Sequence, residues 1–300
     1  MGLRTHPTQR QRRLAEELRR LRESTGMSAT EAGSHADLGR AHMSHIETGR
    51  TGISEDKLRR LLNAYGVASK PLVNELVEMA QPTGPGWWSR YTDAVDSRAC
   101  DLAELESTAR AHRSFQWVYV PGLLQTPAYM RALFESGEPD TSTARRERYA
   151  EFRQRRQRVL HGPRPPRFHA VVHEAAFHMH FVPRDVMLGQ LDHLLEMGRL
   201  PHVEIQLLPF RAPSYPATST APFVIFDASC PELRTVYVEH PVSASFLSER
   251  AHIAQFTTGF EQLSNVALSP LDPTNDGPRS SLRLLQHLRY LLEEAPYAGP

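Results

Sequence analysis

Two stretches of this chain carry residues whose types and spacing could do chemistry. The first is LGRAHMSHIETGR at 38–50. Met43 and Ile46, three residues apart, would anchor one face of a helix in a core. Ala41, Ser44 and His45 then share another face, with Arg40 and His42 at its edges. That face is polar but has no ladder of Glu and Lys, so its composition suits contact with a partner. The second stretch is HEAAFHMH at 173–180, close to the zinc pattern H-E-x-x-H. Its next histidine comes five residues after His173 instead of four. On a helix positions i and i+5 diverge, and on a strand they point to opposite faces. His178 and His180 would share a strand face, which gives two ligands without a third. Structural histidines are expected there, and no metal site. No G-x-S-x-G, Walker A or G-x-G-x-x-G occurs, so neither catalytic residues nor a cofactor is expected.

Composition sets the frame for these stretches. Three hundred residues suggest about two domains, and 40% hydrophobic residues suffice for a sizeable core. No apolar run approaches the roughly 18 residues of a membrane span, and MGLRTHPTQRQRR lacks the apolar core of a signal peptide. Cys100 and Cys230 lie far apart and outside any CxxC pattern, which argues against a disulfide framework or a thiolate zinc site. The expectation is a soluble cytoplasmic protein. Charge is uneven: residues 1–70 carry 13 Lys and Arg against 8 Asp and Glu, while the rest carry 22 against 26. A basic front on a near-neutral chain points to a polyanion as the partner of that front.

The elements that must position the first stretch are short helices. Leu14, Leu18 and Leu21 mark a stripe across about 9–24, and Ser28 stands where a helix N-cap would, ahead of a helix to about His35. A turn through 36–39 leads to the helix at 40–47. Leu58, Leu61, Leu62 and Tyr65 give a fourth helix after Ser54, and 71–80 a fifth. QPTGPG at 81–86 reads as a hinge. Trp87, Trp88 and Tyr91 are expected to open a second unit, followed by a helix with Leu102 and Leu105 and an extended FQWVYVPG. Helices are expected at 127–135 and 143–160, the latter with seven arginines between 145 and 158. They are spread too evenly for one face, and pairs to Glu147 and Glu151 are expected. Strands are expected at FHAVVH, VEIQLLPF, PFVIFD and TVYVEH, a helix at 184–198 between the first two, and helices near 246–267 and 281–295. The fold class is therefore an all-α domain of five helices at 1–80, a hinge at 81–86, and a larger mixed α/β domain at 87–300.

The first half resembles helix-turn-helix regulators of the Xre and phage-repressor family through LRRLRESTGMS, HMSHIETGR and LLNAYGV. The second helix departs from the pattern: Ala29 stands at a position that is usually Gln, Ala32-Gly33 replaces Leu-Ala, and Gly39 replaces the Ser/Thr cap. The second half resembles a Scr1-type antitoxin-like domain of actinobacterial regulators through VPGLLQTPAYMRAL at 120–133, Arg153–Gln157, HEAAF, VEIQLLPF, APF at 221–223 and VYVE.

These resemblances imply a transcription regulator acting on double-stranded DNA and associated with the nucleoid, not an enzyme. The helix at 40–47 would enter the major groove. Arg40 would fork onto guanine or reach a phosphate, Ala41 would approach a thymine methyl, and Ser44 and His45 would bond a base or phosphate, with His42 beside them. Arg50, Arg12 and Arg13 are the candidates for phosphate contacts, as is Arg10. Glu47 is expected to be structural, since a carboxylate facing DNA would be repelled. A homodimer reading two half-sites is implied, with a small protein partner encoded nearby as the alternative role of the second half, or a ligand sensed there. PGLLQT is expected to be a structural turn or part of a pocket, and the last helix core or dimer seam.

Overall fold

The computed structural model describes residues 3–82, 84, 86–137, 140–216, 221–240, 243–272, 274–275 and 277–294. Two compact units make up the chain: residues 1–109 with 227–235, and residues 110–226 with 236–300.

The first unit is helical. Helix α1 (Gln9–Ser24) starts at a capping box in which the Thr8 hydroxyl accepts from the Gln11 amide and the Gln11 side chain accepts from the Thr8 amide. Leu14, Leu18 and Leu21 form its buried stripe. Ser28 and Glu31 build a second capping box at α2 (Ala29–Ser34). Helix α3 (Arg40–Ile46) buries Met43 and Ile46. Helix α4 (Glu55–Ala64) and helix α5 (Lys70–Ala80) complete one apolar core with Leu58, Leu61, Leu62, Leu72 and Leu76. All five expected helices are present within a residue or two at each end.

The unit does not end at the Pro/Gly stretch. It runs on through a short 3-10 helix (Trp87–Tyr91) and α6 (Ser97–Thr108), so the aromatic triplet belongs to the first unit and does not open the second. Of QPTGPG itself, residues 83 and 85 lie outside the described residues. The physical tie is Asp101 of α6, a buried carboxylate. It accepts from the Gln9 amide at 3.0 Å and from Arg12 at 2.6 Å, at the exposed N–H end of α1. Segment 227–235 adds Cys230 and Leu233 to the same core.

The second unit is built on a six-stranded sheet of order β3-β2-β1-β4-β5-β6, whose strands are β1 (Ala111–Gln116), β2 (Arg167–His173), β3 (Val203–Leu208), β4 (Phe223–Asp227), β5 (Thr235–His240) and β6 (Ser243–Leu247). β1, β2 and β3 are parallel, with Phe115 opposite Val171 and Val171 opposite Gln206; β5 and β6 are antiparallel. The sheet is mixed. Helices α7 (Pro127–Gly137), α8 (Thr143–Gln157), α9 (Arg184–Met197), α10 (Arg250–Val266) and α11 (Ser281–Glu294) accompany it. Phe168, Ala170, Val172, Ile205 and Leu207 share a core with residues of α7, α9 and α11; Phe115, Val171 and Leu208 share another with α10. This burial explains the near-continuous apolar reading of β2 and β3.

Two strands differ from expectation. β1 is AHRSFQ, N-terminal to most of the expected FQWVYVPG, and it buries His112 and Ser114 where alternation would have placed solvent. β6 occupies 243–247, where the pattern suggested the beginning of a helix; α10 starts only at Arg250. A five-residue strand held by pairing with β5 has too short a period to read.

The PGLLQT turn is fixed by a polar network. Gln125 donates to the Val120 carbonyl at 2.7 Å, Gln190 donates to the Leu124 carbonyl at 2.7 Å, and Gln157 donates to the carbonyls of Gly122 and Gln125. Arg153 donates to Gln125 at 2.9 Å. Arg153 and Gln157 therefore serve the turn.

Candidate nucleic-acid interface

Helix α3 is seven residues long, too short to be stable alone, and its position is set from outside. Met43 and Ile46 are buried on one side; Arg40, Ala41, His42 and Ser44 are exposed and His45 half-exposed. Its C-terminal end is held by Arg22 of α1. The Arg22 guanidinium donates through Nε and Nη2 to the two Glu47 oxygens at 2.6 and 2.9 Å, and through Nη1 to the Met27 carbonyl at 2.8 Å. With side chains 13% and 7% exposed, this is a largely desolvated two-pronged pair. Burial, followed by the Glu47 charge, pushes the nearby Tyr65 phenol up to about 12. Glu47 is thus spent inside the fold, as the sequence suggested, while Arg22 carries a positioning role that the sequence did not single out.

The turn between α2 and α3 depends on one glycine. A Cβ on Gly33 would sit 2.3 Å from the Leu38 carbonyl oxygen and 3.0 Å from the Met43 side chain. The Leu38 amide also donates to the Gly33 carbonyl at 2.9 Å. Gly33 in place of a larger residue is therefore a close-approach requirement at this turn. Gly49, at φ +72° and within 3.2 Å of Pro7 for an added Cβ, does the same at the exit.

The arginines sort into two groups. Arg40 and Arg50 are exposed, and among the described residues neither side chain has a hydrogen-bond or ion-pair partner; the same holds for His42 and His45. Arg12 and Arg13, expected beside them as phosphate contacts, are placed otherwise. Arg13 is 4% exposed, donates to Glu17 at 3.2 Å and donates to the Glu232 carbonyl. Arg12 is bound to Asp101 and to the Pro7 carbonyl. Arg10 donates to the Glu78 carbonyl at the end of α5. The reason is geometric: α1 turns this part of its surface toward α5, α6 and segment 227–235. Burial raises the Glu17 carboxyl, but the hydrogen bond from Arg20 and the charges of Arg13 and Arg20 outweigh it and hold Glu17 below its ordinary range.

The exposed face of α3 therefore presents a free guanidinium, two imidazoles, a hydroxyl and a methyl. These are donors, acceptors and a small apolar contact of the kind that reads base edges. Metal chemistry has less to work with. The His173 ring accepts from the Ala175 amide, His178 lies 3.6 Å from Glu174, and no group of three His, Cys, Asp or Glu among the described residues surrounds a common point.

Comparison with known families finds a match in each half. Residues 13–76 match a family model described as a helix-turn-helix domain, which supports a DNA-binding regulator. Residues 99–274 match the model described as a domain of unknown function, DUF5753. No curated protein and no solved structure matches the chain significantly. Among the described residues, no helix is long and apolar enough to cross a membrane.

Proposed function

We propose that this chain, which belongs to the DUF5753 family and carries a helix-turn-helix domain ahead of that region, is a sequence-specific transcriptional regulator. Its α3 lies in the major groove of operator DNA. Arg40, Ala41, Ser44 and His45 face base edges, with His42 beside them, and Arg50 contacts a phosphate. The observation that carries this reading is the unpaired polar face of α3 on a helix locked from behind by Arg22–Glu47 and by buried Met43 and Ile46. The first unit follows the Xre pattern, and the second regulates it. One module makes a modest interface, so the active form is a homodimer reading two half-sites about one helical turn apart, and it works on DNA in the cytoplasm.

The test is genome-wide mapping of binding sites, followed by fluorescence anisotropy on the recovered sequence. A shared motif bound well above random DNA is the expected result. Uniform affinity for all duplexes would refute sequence-specific reading.

A second role, capture of a small protein partner by the second unit, is favoured by one observation. Trp117, Tyr119, Phe210 and Tyr215, all beyond the C-terminal ends of β1 and β3, are 43–59% exposed. Co-purification of a small protein that is lost on Trp117→Ser with Phe210→Ser would support it; a partner retained by that double variant would not.

A further inference from the structure

The first unit contains a cavity of about 750 Å³, within the size range of small-molecule sites. Leu14 of α1, Ile46 at the end of α3, Ile53, Met79 of α5 and Trp88 supply its apolar wall. Gly49, Thr51 and Gly52, the segment leaving α3, form part of the same wall. One lining carboxylate stands out. Glu104 of α6 is 6% exposed and, among the described residues, makes no ion pair; the Thr8 hydroxyl is its side-chain partner, and the charge of Arg10 acts on it without a direct contact. The guanidinium of Arg10, also in the lining, is turned to the Glu78 and Met79 carbonyls. A buried carboxylate beside an apolar wall, with the nearby cation engaged elsewhere, is half of a charge pair.

We infer that this cavity is a binding site for a small amphipathic amine, its apolar body against Leu14, Ile46, Ile53 and Met79 and its ammonium on the Glu104 carboxylate. Burial, the dominant cause, outweighs the charge of Arg10 and keeps the Glu104 carboxyl above its ordinary range, so an ammonium in direct hydrogen-bond contact would favour the ionised carboxylate. Because Ile46, Gly49 and Ile53 line the site, its occupancy acts on the end of α3 and on the segment that leaves it. That second step rests on the DNA reading above; the binding site itself does not.

Tryptamine and its carboxylate counterpart indole-3-propionate, titrated calorimetrically into the full chain, test the site. Tryptamine should bind at one site per chain, at least about tenfold tighter than the carboxylate, a difference of about 1.4 kcal/mol. Glu104→Gln should bring the two within about twofold. Ala80→Trp, filling the cavity from a half-buried lining position, should abolish binding of both and covers the case in which Glu104→Gln fails to fold. Equal or tighter binding of the carboxylate, tryptamine binding that survives Ala80→Trp, or no saturable binding below about 10 mM overturns the site. Operator anisotropy with saturating tryptamine then tests the coupling: a changed affinity supports it, and an unchanged one overturns it. A chain that binds tryptamine through Glu104 but recognises no DNA sequence refutes the DNA reading and leaves the site standing.

Discussion

Helices α3 and α8 are both rich in groups that could meet an anion, and they use them in opposite ways. α8 and its cap carry seven arginines between 145 and 158. Arg148 pairs with Glu151 at 3.0 Å, Arg146 donates to the Thr141 carbonyl, and Arg153 bonds Gln125 while lying 5.3 Å from the Phe134 ring. Glu147 is taken by Arg131 of α7. α3 has a single arginine, but that arginine and both histidines have no partner among the described residues, on a helix that is itself clamped. Charge density marks α8, where most of the arginines are engaged and Arg145 and Arg158 have no side-chain partner among the described residues; unspent hydrogen-bonding capacity on a fixed frame marks α3. The second is the better signature of a binding face, because a group already paired must break a contact before it makes a new one.

The largest way to break this contrast is to free α3. Arg22→Ala leaves Glu47 buried without its partner and should cost about 3–5 kcal/mol, read as a lower urea midpoint. Operator affinity should fall more than affinity for random DNA, since α3 carries the base contacts. If stability is unchanged, the clamp does not set the position of α3.

Next in size is the acid limb of stability. Glu17 is held below its ordinary carboxyl range, so its contribution is present above the unfolded value of 4.5 and is lost as pH falls through the lower folded value. Glu17→Gln should cost about 3 kcal/mol at neutral pH, because it strands buried Arg13, and should flatten the loss of stability below about pH 4.5. Parallel pH profiles for variant and parent would remove Glu17 from the account.

The smallest effects sharpen the comparison. Arg148→Ala on α8 and Arg12→Ala on α1 should leave the salt dependence of DNA binding within error, since both side chains are already paired, Arg148 with Glu151 at the surface and Arg12 with buried Asp101. A phosphate contact at either would lower the magnitude of the log–log salt slope by about 0.9. Such a drop would return that arginine to the interface.

Much of this was legible from residues alone. The leucine stripe of α1, the Ser28 cap and the Met43/Ile46 spacing predicted the helical unit because each is a local signal, and two of the three parallel strands, β2 and β3, were readable as apolar runs. What escaped was set by tertiary partners. Arg13 and Arg12 look like free basic residues until Glu17, Glu232 and Asp101, the last two distant in sequence, meet them. Arg22 looks ordinary until it reaches Glu47, 25 residues on. The extension of the first unit through α6 rests on the same Asp101 contact, which no composition shift at the Pro/Gly stretch could reveal.

The most direct measurement is fluorescence anisotropy of Arg40→Ala on operator and on random duplex of equal length, at one ionic strength. Arg40 is proposed to read a base through a fork, so operator affinity should fall by about 1–3 kcal/mol while random DNA changes by less than about 0.5 kcal/mol. Equal losses on both duplexes would contradict base reading by α3 and reduce Arg40 to a phosphate contact.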